Sequence, residues 1–195
     1  MGALADLVKE GWIRHIGLSE IGTETLRRAS AVHPVCDLQI EYSLLSRGIE
    51  DAILPAAREL GVAITAYGVL SRGLISGHWK KDAAAAGDMR AHTPRFSGDN
   101  LDANLKLVAA LEQVASRCGA SVAQVAIAWV MAQGPDIIPV VGSRKRHQLV
   151  EALGALDMTL SPEDLGAIEA SVPKGAAAGA RYAAPLMATL DSEAR

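Results

Sequence analysis

The chain has 195 residues, 50% hydrophobic and 21% charged, with a formal net charge of −3. That is enough chain for one domain with a sizeable core; the mild acidity excludes a nucleic-acid binder held by overall charge, and no apolar run approaches the roughly 20 residues of a membrane-spanning helix. Two cysteines, Cys36 and Cys118, are too few and too scattered for a disulfide framework, which fits a reducing, cytoplasmic setting.

The first residues, Met1 to Gly11, lack the basic start of a signal peptide, and Asp6 interrupts their apolar part. Leu4, Leu7 and Val8 share a helical face and Gly11 is a stop, so the chain opens on the end of a helix. A single domain over 1–195, truncated at its N-terminus, is expected. Trp12–Ser19 reads as a short strand ending in polar residues. Thr23 is expected to cap a helix to about Val32, with Leu26 and Ala29 inward. Asp37–Ser43 is a second strand, with Gln39 and Glu41 on one face and Leu38 and Ile40 on the other. A helix from Ile49 to Leu60 stops at Gly61, and Val62–Tyr67 is a third strand ending at Gly68. A glycine- and alanine-rich loop spans about 71–99. Leu101, Leu105, Val108, Leu111 and Ala115 then step at helical spacing.

Ser121 and Gln124 form a capping box before a helix through Ala132. Ile137–Val141 is apolar and β-branched, the pattern of a fully buried strand. It breaks at Gly142-Ser143, and a helical pattern resumes from about Arg144, with Leu149, Leu153 and Leu156 on one face. Ser161-Pro162-Glu163-Asp164 starts one more helix. The tail after Pro173 shows no clear period.

Strands alternating with helices mean parallel strands joined by crossover helices. Each strand ends in polar or small residues: Ser19; Gln39, Glu41 and Tyr42; Tyr67-Gly68; Gly142-Ser143-Arg144. In a (β/α)8 barrel such ends line the active face, and four units make half of one. At the last of these ends, a glycine turn leads into a helix N-terminus carrying Arg144, Lys145 and Arg146. Free N–H groups and the helix dipole favour an anion there, whereas three cations oppose the dipole unless one is bound. The alternative is a solvated basic turn.

Several stretches carry a family likeness. Leu7–Gly11 through Ile16–Glu20, Leu38–Leu45, Ile49–Asp51 through Leu54-Pro55, and Ala66–Leu74 are joined by Arg95-Phe96 with Asn100-Leu101, Ile138-Pro139 through Arg144, Gly154–Leu156, and Ala178–Tyr182. In order and spacing they resemble the C-terminal half of an aldo-keto reductase, and the tail resembles a bacterial branch termed pyridoxal-reductase-like or general aldo/keto reductases. The fold this implies is α/β, the last four units of a TIM barrel plus a C-terminal helix and tail.

The resemblance also implies NADPH as cofactor. Ser19 and Gln39 would bond the nicotinamide carboxamide, Tyr67 would stack on its ring, and Gly68, Val69, Leu70 and Arg72 would follow the pyrophosphate. Gly142, Ser143 and Arg144 would hold the 2′-phosphate, with Gln148 and Glu151 near the adenine. Where many members have asparagine, this chain has Glu20 and Ala152, and Gly68-Val69 replaces a usual serine-proline. The family's catalytic tyrosine, lysine, aspartate and histidine fall before Met1, so no catalytic residue is assigned. For Tyr42 and Tyr182 the sequence shows no evident partner cation that would make either an acid, Glu41 reads as an interior polar contact, and His33 with Cys36 lacks a second ligand pair for a metal.

The complete barrel would reduce small aldehydes or ketones to alcohols, on a substrate the residues do not name. The alternatives are a non-catalytic NADPH-binding or regulatory module, and a self-associating half-barrel of unrelated activity. Open strand edges predict a homodimer or other self-association.

Overall fold

The computed structural model describes residues 1–79 and 88–193. Strands β1 (Gly17–Ser19), β2 (Asp37–Glu41), β3 (Ala63–Tyr67) and β4 (Ile137–Pro139) form one sheet in the order β1-β2-β3-β4, every neighbour parallel. A doubly wound sheet reverses its strand order part-way; this one advances in one direction, as a barrel does. The helices are α1 (Gly2–Lys9), α2 (Thr23–Val32), α3 (Ile53–Glu59), α4 (Gly98–Arg117), α5 (Val122–Ala132), α6 (Arg146–Leu153), α7 (Pro162–Ser171) and the short α8 (Ala184–Met187).

Alternation along the strands divides the sheet into two unlike faces. Leu38, Ile40, Ile64, Ala66 and Ile137 are buried and join the core built with Leu26 of α2, Leu54 and Ala57 of α3, and Val125 and Trp129 of α5. The register sets Ser19, Gln39, Thr65 and Ile138 across the other face. That face is open: Ser19 and Gln39 are exposed, and Ile138 is 56% exposed. In β2, Gln39 and Glu41 do share the face opposite Leu38 and Ile40.

The inner positions Leu26 and Ala29 of α2 are buried, and the Ser121 capping box and the Ser161-Pro162 start form as their sequences dictate. Other boundaries shift. Thr23 is the first helical residue, and Gly22 holds the cap position, where its N–H donates to the Asp191 carboxylate at 2.7 Å. A Cβ on Gly22 would stand 2.8 Å from the Asp191 carbonyl oxygen, so the tail's approach requires glycine. The helix expected over 49–60 breaks at Ala52 into a 3-10 turn, Gly48–Asp51, and α3. The first strand is confined to Gly17–Ser19, and Trp12 is 76% exposed.

The fourth strand is not buried throughout. Only Ile137 is; Ile138 and Val140 point to the open face, Val140 being 45% exposed. Helix α6 starts at Arg146 rather than Arg144, because the chain stays extended through Lys145. Its expected inner face is bare: Leu149, Leu153 and Leu156 are 50%, 51% and 63% exposed. The segment 71–99 is not one long loop. It holds 3-10 turns at Ser71–Ser76, Met89–His92 and Pro94–Phe96, while residues 80–87 lie outside the described residues. The tail after Pro173 folds back to the β1 end, where Ser192 N–H donates to the Glu20 carbonyl at 3.3 Å.

Candidate functional site

Because the strands are parallel, their C-terminal ends collect along one edge of the sheet, and the loops leaving β3 and β4 enclose a cleft of about 980 Å3. Tyr67, Gly68, Val69, Leu70 and Arg72 line it from the β3 side; Gly142, Ser143, Arg144, Gln148 and Glu151 line it from the β4 side. Ser19 and Gln39 lie outside the cleft, exposed on the open face two strands along. The structure therefore brings together ten of the twelve implied positions and sets the other two on the face that leads to Tyr67.

Local geometry explains the residue types. Gly68 has φ +68°, and a Cβ there would meet the Glu41 side chain at 3.0 Å, so glycine is required twice over. Val69 is buried. Space beside Gly142 is open. The helix N-terminus beyond it is not bare: Gln148 reaches back, and its Oε1 accepts from the N–H groups of Arg144 and Lys145 at 3.1 and 3.0 Å. That satisfies donors that the sequence leaves free. Arg144, Lys145 and Arg146 stand in solvent, with no carboxylate partner among the described residues. Glu151 meets His78 of the β3 loop at 3.3 Å, an exposed contact that bridges the two sides and contributes little energy.

Beside the cleft lies a buried charge cluster at the ends of β1, β2 and β3. The Glu41 side chain is 1% exposed; it accepts from Ser46 Oγ at 2.7 Å and pairs with Arg72 and Arg181 at 3.3 Å and Arg95 at 3.7 Å. It is an interior polar contact, as its sequence position suggests. Glu20 receives Arg181 at 2.6 Å, Ser192 Oγ at 2.7 Å and the Tyr67 hydroxyl at 2.8 Å. With its own hydrogen given to Glu20, the Tyr67 oxygen accepts from Tyr182 at 3.2 Å and from Arg181 at 3.3 Å. Arg181 further pairs with Glu193 at 2.9 Å. Three carboxylates thus face three guanidiniums, so the group is neutral overall.

Tyr42 is fully buried, donates to Glu50 at 2.8 Å, and has its phenol pushed up by burial and by that carboxylate, which makes it a poor acid. A second concavity of about 920 Å3 lies under the tail, where Lys174 is already paired with Asp51 at 2.5 Å and Arg95 with Ser46 at 2.7 Å.

The aldo/keto reductase family model matches residues 1–173. The chain belongs to the aldo/keto reductase family. It is 43% identical over 183 residues to a probable aldo-keto reductase 1 of Glycine max, covering 93% of this chain and 53% of that protein. It is 45% identical over 172 residues to aldo-keto reductase str7 of Strobilurus tenacellus, covering 86% and 51%. The solved structure of the glycerol dehydrogenase AKR11B4 from Gluconobacter oxydans superposes with a TM-score of 0.82 at 30% identity, over 89% of this chain and 53% of that one. The chain spans about half the length of the curated relatives it matches. Aldo/keto reductases use a nicotinamide nucleotide and carbonyl substrates, and the sheet described above is consistent with part of their barrel.

Arg181 and Tyr182 have no local sequence signal that marks them for the site, because their partners Glu20 and Arg72 are distant in the chain. In the sequence Glu20 stands out as a departure from asparagine, but its partner lies 161 positions away, and only the fold joins them.

The Glu20 carboxyl gives a pH test. Burial alone would raise it; hydrogen bonds from Arg181, Ser192 and Tyr67 outweigh burial and lower it from the ordinary 4.5 to about 2. A depressed carboxylate contributes stability above its ordinary value, and that contribution is lost as pH falls through 4.5 toward 2. At roughly 1.4 kcal/mol per unit, the part lost by pH 3 is about 2 kcal/mol. Urea unfolding of wild type and Glu20→Gln at pH 7 and pH 3 should therefore show an acid loss smaller in the variant by about that amount. Equal losses would remove Glu20 from the acid response.

Proposed function

We propose that this chain forms the nucleotide-holding part of an NADPH-dependent reductase, which converts aldehydes or ketones to alcohols when the barrel is complete. The observation that carries this reading is the gathering of ten implied positions into one cleft, with a cationic turn at one end and Tyr67 at the other. Its volume, about 980 Å3, is at the upper end of small-molecule sites and suits a dinucleotide better than a small carbonyl compound alone.

When bound, NADPH supplies a hydride; the protein's residues orient it. Tyr67 presents its ring at the nicotinamide end, and Ser19 and Gln39 offer polar groups to the carboxamide from the open face. The loop from Gly68 to Arg72 follows the pyrophosphate. At the far end Arg144 meets the 2′-phosphate, which relieves the opposition between three cations and the helix dipole. NADH lacks that phosphate. Wild type should bind NADPH more tightly than NADH, and Arg144→Ala should weaken NADPH by about 1.5–3 kcal/mol, the value of a charge-assisted hydrogen bond, while leaving NADH nearly unchanged. Fluorescence titration with both nucleotides checks this, and equal wild-type affinities would overturn the preference.

We place the proton donor and its partners outside these residues. Tyr42 is occupied and poorly acidic, and Tyr67 and Tyr182 are bound into the charge cluster. With NADPH and 4-nitrobenzaldehyde the isolated chain is expected to show no turnover above background. Turnover that survives repurification and is lost in Tyr42→Phe would identify a replacement acid.

Self-association follows from a separate observation. β1 and β4 are edge strands with one unpaired side each, and Ile138, Val140, Leu149, Val150 and Leu153 are exposed at or beside β4. Open parallel edges and bare apolar surface recruit other chains. The occupant proposed is a second copy, arranged about a two-fold axis. Sedimentation equilibrium at micromolar concentration should give a dimer; a cooperatively unfolding monomer would overturn this and assign coverage of the β1 end to the folded tail alone.

A further inference from the structure

Among the described residues, three that are not glycine have left-handed φ: Glu20 at 51°, Ser71 at 47° and Arg72 at 57°. Glu20 directly follows β1, and Ser71-Arg72 lies in the loop after β3, at the cleft. Such conformations persist only where surrounding contacts hold them. For Glu20 and Arg72 the same dipeptide supplies part of that hold, beside Arg90 Nη1, which donates to the Arg72 carbonyl at 3.1 Å, and the Glu20 N–H, which donates to the Gln39 carbonyl at 3.0 Å. Arg181 grips the Glu20 carboxylate through two nitrogens, at 2.6 and 3.1 Å. Its carbonyl accepts from Arg72 Nη1 at 3.0 Å, and the Tyr182 ring lies beneath the Arg72 guanidinium, 4.4 Å from its centre. The Tyr182 hydroxyl and Arg181 Nη1 both reach the Tyr67 hydroxyl. One point of the tail thus touches Glu20, Tyr67 and Arg72 together.

The tail does not fill the cleft. Neither Arg181 nor Tyr182 lines it, and its volume is about 980 Å3 with the tail docked. Both residues also lie beyond the part of the chain that the family model matches. We infer that Arg181 and Tyr182 are positioning residues for the nicotinamide and pyrophosphate end of the cleft, fixing the Tyr67 ring and the Arg72 loop from behind without touching the nucleotide. The inference rests on the reading of this cleft as an NADPH site. Its consequence is regional. Among the described residues no hydrogen bond, ion pair or ring contact joins the turn Gly142–Arg144 or Gln148 to the dipeptide, so the adenosine end does not depend on it directly. Holding Tyr67 and Arg72 in place before binding removes an ordering cost that the nucleotide would otherwise meet at that end only.

The test uses two ligands and two variants of the full chain. NADPH spans the cleft; adenosine 2′-phosphate shares its 2′-phosphorylated adenosine and lacks both the pyrophosphate and the nicotinamide. Arg181→Lys keeps a cation beside Glu20 and Glu41 but loses the forked grip. Tyr182→Leu removes the ring and hydroxyl and leaves Arg181 in place. Kd values are measured by calorimetry, with urea midpoints confirming that each variant is folded. Each variant should bind NADPH about tenfold more weakly, the equivalent of about 1.4 kcal/mol, and adenosine 2′-phosphate within twofold of wild type. Parallel loss of both ligands would mean a general structural role and overturn the inference. Unchanged NADPH affinity would overturn it too, and tighter binding would make the tail a competitor instead. A wild type that binds neither ligand would overturn the NADPH reading itself, an outcome distinct from the others because no variant is needed to see it.

Discussion

All four strands run the same way, and the site depends on that constraint more than on any single contact. A parallel sheet puts every carbonyl-terminal strand end along one edge, so Ser19, Glu41, Tyr67 and the Gly142 turn fall in one row although up to about 120 positions separate them in the chain. Burying the opposite face under α2, α3 and α5 fixes the register, since a one-residue slip would turn Leu38, Ile40 and Ile64 out of the core. The polar residues on the other face are then held at positions set by the hydrophobic ones. Function at the strand ends and stability on the helix-covered face are two results of the same alternation.

The cost of this arrangement gathers at the ends of β1 and β2. Glu41 is almost wholly withdrawn from water, and an isolated carboxylate there would lose several kcal/mol of hydration. Three guanidiniums and the nearby Ser46 answer it, and none of the guanidiniums is local: Arg72 comes from the β3 loop, Arg95 from a 3-10 turn before α4, and Arg181 from the tail. A buried ion pair contributes little net stability over an apolar pair, but removing one member leaves a stranded charge. The cluster therefore acts less as a source of stability than as a condition: the sheet end is well formed only when loop, turn and tail are all in place.

This division explains which features the sequence discloses. Elements whose signals are local were readable. Ser121 with Gln124 and Ser161 with Asp164 announce helix starts within four residues, and the alternation Leu38-Gln39-Ile40-Glu41 announces a two-faced strand. Ten implied site positions came together because the family resemblance carries long-range information that periodicity lacks. Misreadings arose where a distant partner decides. Thr23 looks like a cap until Asp191 arrives from the tail to bond Gly22. Ile138 looks buried because β-branched runs usually are, yet among the described residues no element covers its face. The apolar stripe Leu149-Leu153-Leu156 is a real stripe, but a stripe states only that a helix has an apolar face, not what lies against it. The amides before α6 look free until Gln148 turns back on them.

Glu20 shows how a local departure and a distant motif can be one feature. The position after β1 has φ 51°, a conformation that asparagine tolerates better than most residues because its short side chain can bond locally. By the resemblance many relatives have asparagine here. Glutamate has less intrinsic preference for that backbone, but its longer side chain spans to the tail, where it meets Arg181, and it also takes the Tyr67 hydroxyl and the Glu41 N–H at 3.0 Å. Local comfort is exchanged for a tie between the first strand and the C-terminal segment. Seen alone, Glu20 is an odd residue in a strand-end loop, and Arg181 is an odd cation in an alanine-rich tail. Together they hold the ring that faces the cleft, which is why a physical account of the site has to include a residue that never touches it.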